Sequence, residues 1–144
     1  MPMSGFVATA ETTVDAPRGS VWSALTDPEL IKRYMMGSHV ETDWHPGSPI
    51  SWRGEYNGKA YEDKGEVLEV IPERLLKVTH FSALSGEADR PENYHTVSYT
   101  LEDAGGGTRV TLTQDNNASE EDAAHSAETW SQMLAGLKKV VESS

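Results

Sequence analysis

Two hydrophobic periodicities divide the chain. Between residues 38 and 115, apolar and polar positions alternate in short runs, which is typical of β-strands. Between residues 119 and 142, apolar residues recur every three or four positions, which predicts an amphipathic helix of about 23 residues. The N-terminal part combines a β-branched run at 6–14 with two short stretches of helical spacing. The pattern therefore predicts one strand, two short helices, six strands and a long C-terminal helix.

Turn and cap residues set the boundaries of these elements. Pro17 suits the first turn of one short helix, and Asp27 followed by Pro28 caps and opens the next. Ser119, three residues before an acidic residue, predicts the start of the long helix. Asn57-Gly58 is the strongest hairpin signal, and 82–92 is expected to form a mobile loop. The predicted strands cover residues 6–14, 38–44, 49–56, 59–71, 75–81, 93–101 and 109–115.

The short connections predict an antiparallel meander. One face of such a sheet must be covered, and only the C-terminal helix is long enough to cover it, so the sheet must curl around that helix. We therefore expect an α+β fold, a curved seven-stranded antiparallel sheet around a long C-terminal helix, with two short helices after the first strand. At 144 residues the chain is expected to form a single domain over 1–144, with its core at about 6–142.

Charge and composition narrow the range of partners. Lys and Arg number 12 against 23 Asp and Glu, a formal net charge of −11, which repels nucleic acid and anionic lipid surfaces. No apolar run reaches the ~18 residues that a membrane span needs, so no membrane insertion is expected. The chain has no cysteine and no signal peptide at residues 1–5, so we expect a cytoplasmic protein.

Alternation along the strands predicts which side chains face inward. Ile50, Leu76, Leu101, Val110 and Leu112 belong to this inner face, which also carries aromatic and polar residues. Such a mixture is typical of a small-molecule site, whereas polar groups left unpaired in a dry core cost about 1–3 kcal/mol each. A closely packed core is the alternative for most of these positions. The predicted ligand-binding cavity comprises Leu30, Tyr34, Met35, Trp52, Tyr61, Val67, Val78, His80, His95, Val97, Tyr99, Gln114, Trp130, Met133, Leu134 and Leu137.

Two inward histidines are the candidates for chemistry. If the strands of His80 and His95 are neighbours, both imidazoles would open into one cavity, where histidine commonly transfers protons. No nucleophile or orienting carboxylate lies at a recognisable spacing, and no hydrolase or phosphate-loop motif occurs. The sequence therefore favours binding over catalysis and predicts no cofactor. A bulky residue in place of Gly65, on the same strand face as Tyr61, is expected to obstruct the cavity.

One polar strand carries side chains of the types that bind metal ions. His39, Glu41, Asp43 and His45 alternate along it and would share a face. Alternate residues of a strand lie about 6.5–7 Å apart, too far for neighbours to hold one ion. We therefore predict an exposed polar strand face and no metal site.

Four segments resemble a known family: DAPRGSVWSALTDPELIKRYM, GEVLEVIPERLLKVTHF, PENYHTVSYTLEDAGGGTRVTLTQDNN and WSQMLAGLKKVVE. In order and spacing they are similar to the bacterial branch of the Hsp90-ATPase-activator-homologue family, within the START-like or Bet v 1-like superfamily. The resemblance covers residues 6–142. It implies a helix-grip fold with a cavity between the sheet and the long helix.

Three functions follow as expectations. The cavity favours a carrier or sensor for a small hydrophobic or aromatic molecule, lipid-like or polycyclic. The resemblance implies, as an alternative, an activator of an Hsp90-type chaperone ATPase in the stress response, although the chain lacks the additional domain of the eukaryotic activators. A cyclase or hydrolase that uses His80 or His95 is the third. A monomer and a homodimer are both open.

Overall fold

A seven-stranded antiparallel sheet and three helices make up the fold in the computed structural model, which describes residues 5–35, 37–56, 58–82 and 88–143. The strands lie side by side in the order β1-β7-β6-β5-β4-β3-β2. The predicted α+β architecture is therefore confirmed. The elements are β1 (Phe6–Val14), α1 (Arg18–Thr26), α2 (Pro28–Tyr34), β2 (His39–Thr42), β3 (Pro49–Tyr56), β4 (Lys59–Ile71), β5 (Leu75–His80), β6 (His95–Ala104), β7 (Gly107–Asn117) and α3 (Glu120–Glu142).

Some strand boundaries differ from the predicted ones. β2 ends at Thr42, and two residues later Trp44 has a positive φ of 59° that no extended strand adopts. β6 begins at His95 because Pro91–Asn93 form a 3₁₀ turn instead of strand. At the predicted hairpin, Tyr56 pairs with Lys59, but Asn57 lies outside the described residues. So do positions 83–87 of the predicted loop and residues 1–4.

Helix starts follow the predicted caps. The Asp27 side chain accepts a hydrogen bond from the Glu29 amide at 3.0 Å, and Pro28 occupies the first turn of α2. The Ser119 hydroxyl accepts from the Asp122 amide at 3.0 Å at the start of α3. Each bond satisfies an amide that has no partner inside its helix. No helix in the described part of the chain is both long and apolar enough to cross a membrane.

α3 lies against the sheet, and its C-terminal half is held closely to it. Leu134, Leu137 and Val141 are buried in the core formed with the strands. Near the helix end, Lys138 donates to the carbonyl oxygen of Thr13 at 2.7 Å. The Glu142 carboxylate accepts from the Asp15 amide just beyond β1, also at 2.7 Å. Together these contacts fix the C-terminal half of α3 on β1.

β4 joins the two halves of the sheet at a glycine. Its first part pairs with β3 from Lys59 to Glu66, and its last part pairs with β5 from Val67 to Ile71. A Cβ atom on Gly65 would lie 1.8 Å from the carbonyl oxygen of Thr79 on β5. The expectation that a side chain at Gly65 would project into the cavity is therefore wrong, since the neighbouring strand occupies that space.

Replacement of Gly65 by alanine should destabilise the protein by at least ~2 kcal/mol, because β4 and β5 must separate to admit the methyl group. Gly19→Ala is the matched control: its Cβ would meet only the Glu73 side chain at 3.7 Å. Since alanine favours helix, that variant should be unchanged or up to ~1 kcal/mol more stable. Urea unfolding of both variants measures the difference. Equal stability of the two would contradict the proposed constraint at Gly65.

Candidate ligand-binding cavity

A cavity of about 500 Å³ lies between the sheet, the two short helices and α3. Its wall receives side chains from α1, α2, the loops flanking β2, strands β3 to β6 and the middle of α3. The lining residues are Leu25, Ile31, Tyr34, Met35, Ser38, Trp44, Ile50, Trp52, Tyr61, Asp63, Leu76, Val78, His80, Val97, Tyr99, Thr129, Trp130, Gln132 and Met133.

The cavity opens beside the middle of α3. Thr129 and Gln132 line it and are also exposed to solvent, whereas Ile50, Leu76 and Val97 on the strands are buried. The apolar stripe of α3 is thereby divided into two parts. Trp130 and Met133 face the cavity, and the leucines and valine that follow pack into the core.

Three tryptophans form much of the apolar wall. Trp130 is fixed by a hydrogen bond from its Nε1 to Oε1 of buried Gln114 on β7, at 2.9 Å. Trp52 contacts the His80 ring edge-on, with ring centroids 5.0 Å apart. Trp44 has φ of 59°, an unfavourable conformation for a bulky side chain that structures tolerate mainly at functional sites. The backbone at Trp44 is thus strained, and its indole forms part of the cavity wall.

Tyr34 and Tyr99 place two hydroxyl groups in the wall. Tyr34 OH donates to the carbonyl oxygen of Ala24 at 2.6 Å. A Cβ on Gly136 would lie 3.2 Å from the Tyr34 Cβ, so this glycine lets α2 approach α3 closely. Burial raises the pKa of Tyr34 well above its ordinary value, and the nearby Tyr99 raises it further. Burial likewise raises the pKa of Tyr99 far above its ordinary value.

Polar groups gather on one side of the cavity. Tyr61 and Asp63 on β4 share a strand face, because a single residue, Glu62, separates them. Tyr61 OH and the Ser38 hydroxyl are 2.6 Å apart, and the missing side chain of Gly54 leaves room for the Tyr61 ring. The Asp63 carboxylate lies 3.0 Å from Nε2 of His80 on β5.

Several predicted cavity residues do line it: Tyr34, Met35, Trp52, Tyr61, Val78, His80, Val97, Tyr99, Trp130 and Met133. The others lie elsewhere. Val67, Leu134 and Leu137 are fully buried in the core, and Leu30 packs against that core. Gln114 lies behind the wall, where it holds Trp130.

His95 corrects the expectation that two histidines open into one cavity. His80 and His95 are direct partners across β5 and β6, but His95 is not among the lining residues. Its Nδ1 lies 2.8 Å from the carbonyl oxygen of Asp115, at the end of the β6–β7 ladder. Only His80 of this pair is therefore placed to contact a ligand.

The prediction also lacked several residues that line the cavity. Asp63 has the same strand parity as Tyr61, which was a usable signal, but its contact with His80 joins residues 17 positions apart. The sequence showed no orienting carboxylate at a recognisable spacing, and the structure places Asp63 in that position through the pairing of β4 with β5. Two of the remaining residues, Ser38 and Trp44, lie on loops that no periodic signal marks. The remainder are Leu25, Ile31, Ser38, Trp44, Ile50, Leu76, Thr129 and Gln132.

The polar face of β2 is occupied by an ordinary ion pair. Glu41 Oε1 lies 2.9 Å from the Arg53 guanidinium on β3. The two residues are diagonal neighbours across the β2–β3 ladder. Within the ranges that the structure describes, no three His, Asp or Glu side chains are grouped to hold a metal ion.

Comparison with known proteins shows a family model and solved structures that are similar to this chain. The model of a family described as Activator of Hsp90 ATPase homolog 1-like protein matches residues 15–142. A protein from Cytophaga hutchinsonii with a solution structure is 48% identical, with a TM-score of 0.84, over 99% of this chain and 97% of that one. No curated protein matches the chain.

Two more distant structures share the fold alone. The Aha1 dimer from Colwellia psychrerythraea is 21% identical, with a TM-score of 0.72, over 95% of this chain and 96% of that one. DynU16, a protein of the dynemicin biosynthetic locus, is 21% identical, with a TM-score of 0.76, over 94% of this chain and 47% of that one.

Alkaline pH should weaken the fold through the two buried tyrosines. Their folded pKa values are raised, so the stability they contribute is fully present below the unfolded pKa of ~10 and is lost as pH rises above it. Each such tyrosine lowers the free energy of unfolding by about 1.4 kcal/mol per pH unit there. Tyr99→Phe should therefore show a shallower decline than the wild type in urea unfolding between pH 8 and 11.5. Parallel curves would contradict the burial of this hydroxyl.

Proposed function

Since the chain belongs to the family of Activator of Hsp90 ATPase homolog 1-like proteins, we propose that it binds a small hydrophobic or aromatic molecule between the sheet and α3. The observation that carries this proposal is the cavity itself. Its volume of about 500 Å³ falls within the ~300–1,000 Å³ of ordinary ligand sites. Its wall is mainly aromatic and aliphatic, with few polar groups, which is the composition that binds and orients such molecules.

A carrier or sensor role fits this arrangement better than covalent chemistry. The wall supplies apolar area from Trp44, Trp52 and Trp130, which drives binding without any reaction. The opening beside Thr129 and Gln132 gives a ligand a route that does not pass through the core. DynU16, a protein of the dynemicin biosynthetic locus, shares the fold, which is compatible with a ligand-binding role.

A chaperone role is the second candidate, and the family description is the observation that favours it. The two roles use different parts of the molecule. A chaperone partner would be recognised by exposed surface, so stimulation of an Hsp90-type ATPase should not change when the cavity is obstructed. Ligand binding should weaken when the cavity is obstructed. A catalytic role would depend on His80, since His95 does not line the cavity.

The first experiment is a thermal-shift screen with fatty acids, sterol-like compounds, polycyclic phenols and flavonoids, followed by native mass spectrometry. A ligand at 100 times its Kd should stabilise the protein by about 2.7 kcal/mol, which raises Tm by several degrees. We expect one coherent chemical class to bind one molecule per chain. The same spectra report whether the chain is a monomer or a homodimer. A panel with no hit would contradict the proposed function.

Obstruction of the opening gives a test with a matched control. Gln132→Trp places an indole at the cavity opening, whereas Ser131→Trp places it on the neighbouring position of α3, which is exposed and does not line the cavity. Both side chains start in solvent, so both variants should fold. We expect at least ~5-fold weaker binding of a screen hit in Gln132→Trp only, a loss of about 1 kcal/mol. Equal affinities in isothermal titration would place the ligand outside this cavity.

A further inference from the structure

The cavity has an unequal distribution of charge. Among its described lining residues, Asp63 supplies a carboxyl group and His80 an imidazole, and no lysine or arginine is present. A ligand there meets the Asp63 carboxylate, and the described lining supplies no lysine or arginine side chain to balance a second negative charge. The net charge of −11 adds a long-range potential of the same sign.

The Asp63 carboxylate is held inside the wall. Its side chain is 15% exposed and that of His80 is 21% exposed, and the Nε2–Oδ2 distance is 3.0 Å. Trp52 packs edge-on against the imidazole at 5.0 Å between ring centroids. Trp52 and Asp63 are also direct partners in the β3–β4 ladder. The carboxylate therefore lies next to apolar surface, where water screens its charge poorly.

The neighbouring polar pair extends this side of the cavity. Tyr61, two residues before Asp63, lies about 6.5–7 Å away along β4 and shares a hydrogen bond with Ser38. Hydroxyl groups and a carboxylate together can accept from and donate to a neutral hydroxyl of a ligand. A ligand carboxylate would instead face a fixed negative charge and lose its own hydration.

Resting on the proposed binding function, we propose that Asp63 and His80 form a polar anchor that selects neutral hydrophobic ligands with a hydroxyl group and excludes carboxylates. The ligand hydroxyl donates to the Asp63 carboxylate, while its apolar body lies along the tryptophans. His80 positions the carboxylate through the hydrogen bond at Nε2. Alcohols and phenols are therefore the expected chemical class, and fatty acids are not.

Three probe ligands of similar size distinguish the effect of ligand charge from the effect of ligand hydrogen bonding. 4-Butylphenol is neutral and donates, 4-butylanisole is neutral and does not donate, and 4-butylbenzoate is an anion at pH 7.5. In the wild type, the phenol should bind at least ~10-fold more tightly than the benzoate, since like charges repel strongly at low dielectric. It should bind about 5-fold more tightly than the anisole, the effect of one net hydrogen bond. Isothermal titration measures all three affinities.

Variants at the two ends of the Asp63–His80 bond should affect benzoate binding differently. Asp63→Asn removes the charge with little change in shape, and the benzoate should then bind at least ~5-fold more tightly than in the wild type. His80→Gln keeps a hydrogen-bond donor but cannot carry a positive charge, so the benzoate should not bind more tightly. General damage to the cavity would weaken the binding of every probe in both variants.

Glu62→Gln is the matched control, because Glu62 precedes Asp63 on β4 and its side chain is exposed on the opposite face. It changes the net charge by the same amount and should alter each affinity less than ~2-fold, since exposed charges are screened. Equal shifts in Glu62→Gln and Asp63→Asn would overturn the inference. So would equal binding of phenol and benzoate to the wild type.

Failure of the anchor and failure of the cavity give different results. If all three probes bind with similar affinity, and Gln132→Trp weakens all of them, the cavity function stands and the proposed selectivity is wrong. If none of the probes binds the wild type or Asp63→Asn, the proposed binding function is contradicted, and the inference with it. If the phenol and the anisole bind equally, the proposed hydrogen bond from the ligand hydroxyl to Asp63 is wrong.

Discussion

The close approach of β4 and β5 at Gly65 is the constraint on which the rest of the structure depends. With the carbonyl oxygen of Thr79 only 1.8 Å from the place where a Cβ would lie, no other residue fits there without separating the strands. Before this point β4 pairs with β3 and carries Tyr61 and Asp63 into the cavity. After it, β4 pairs with β5 and buries Val67 in the core. One position thus marks where the inner face changes from cavity wall to packed interior.

A corresponding division occurs along α3. Its C-terminal half is fixed on β1 by Lys138 and Glu142 and buries aliphatic side chains. Its middle has Trp130 held by Gln114 and turns toward open space. Because α3 is tightly packed at one end, the cavity beside its middle can stay open without loss of the core. Gly136 lies near the boundary, where α2 reaches the helix and Tyr34 closes one side of the wall.

The polar side of the cavity determines what chemistry the site can offer to a ligand. A half-buried carboxylate next to an aromatic ring is usually paired or neutralised, and Asp63 is paired with His80. Here the pair contacts the same space as the apolar wall, so it affects whatever occupies that space. The family relationship explains the fold, and the fold is compatible with many functions. Asp63 and His80 are therefore the residues from which the chemical class of the ligand is inferred.

The sequence by itself determined the elements, their order, the antiparallel meander and the helix that covers it. These depend on local periodicity, turn residues and caps such as Asp27 and Ser119, which act over a few positions. Strand parity also placed Trp52, His80 and Tyr99 on the inner face correctly. Tertiary structure alone decided which inner residues face open space and which pack: Val67 has the right strand parity and Leu137 the right helical spacing, but both lie in the core. It also decided that Asp63 meets His80 and that His95 turns to Asp115, because those contacts depend on strand register and bending between residues far apart in the chain.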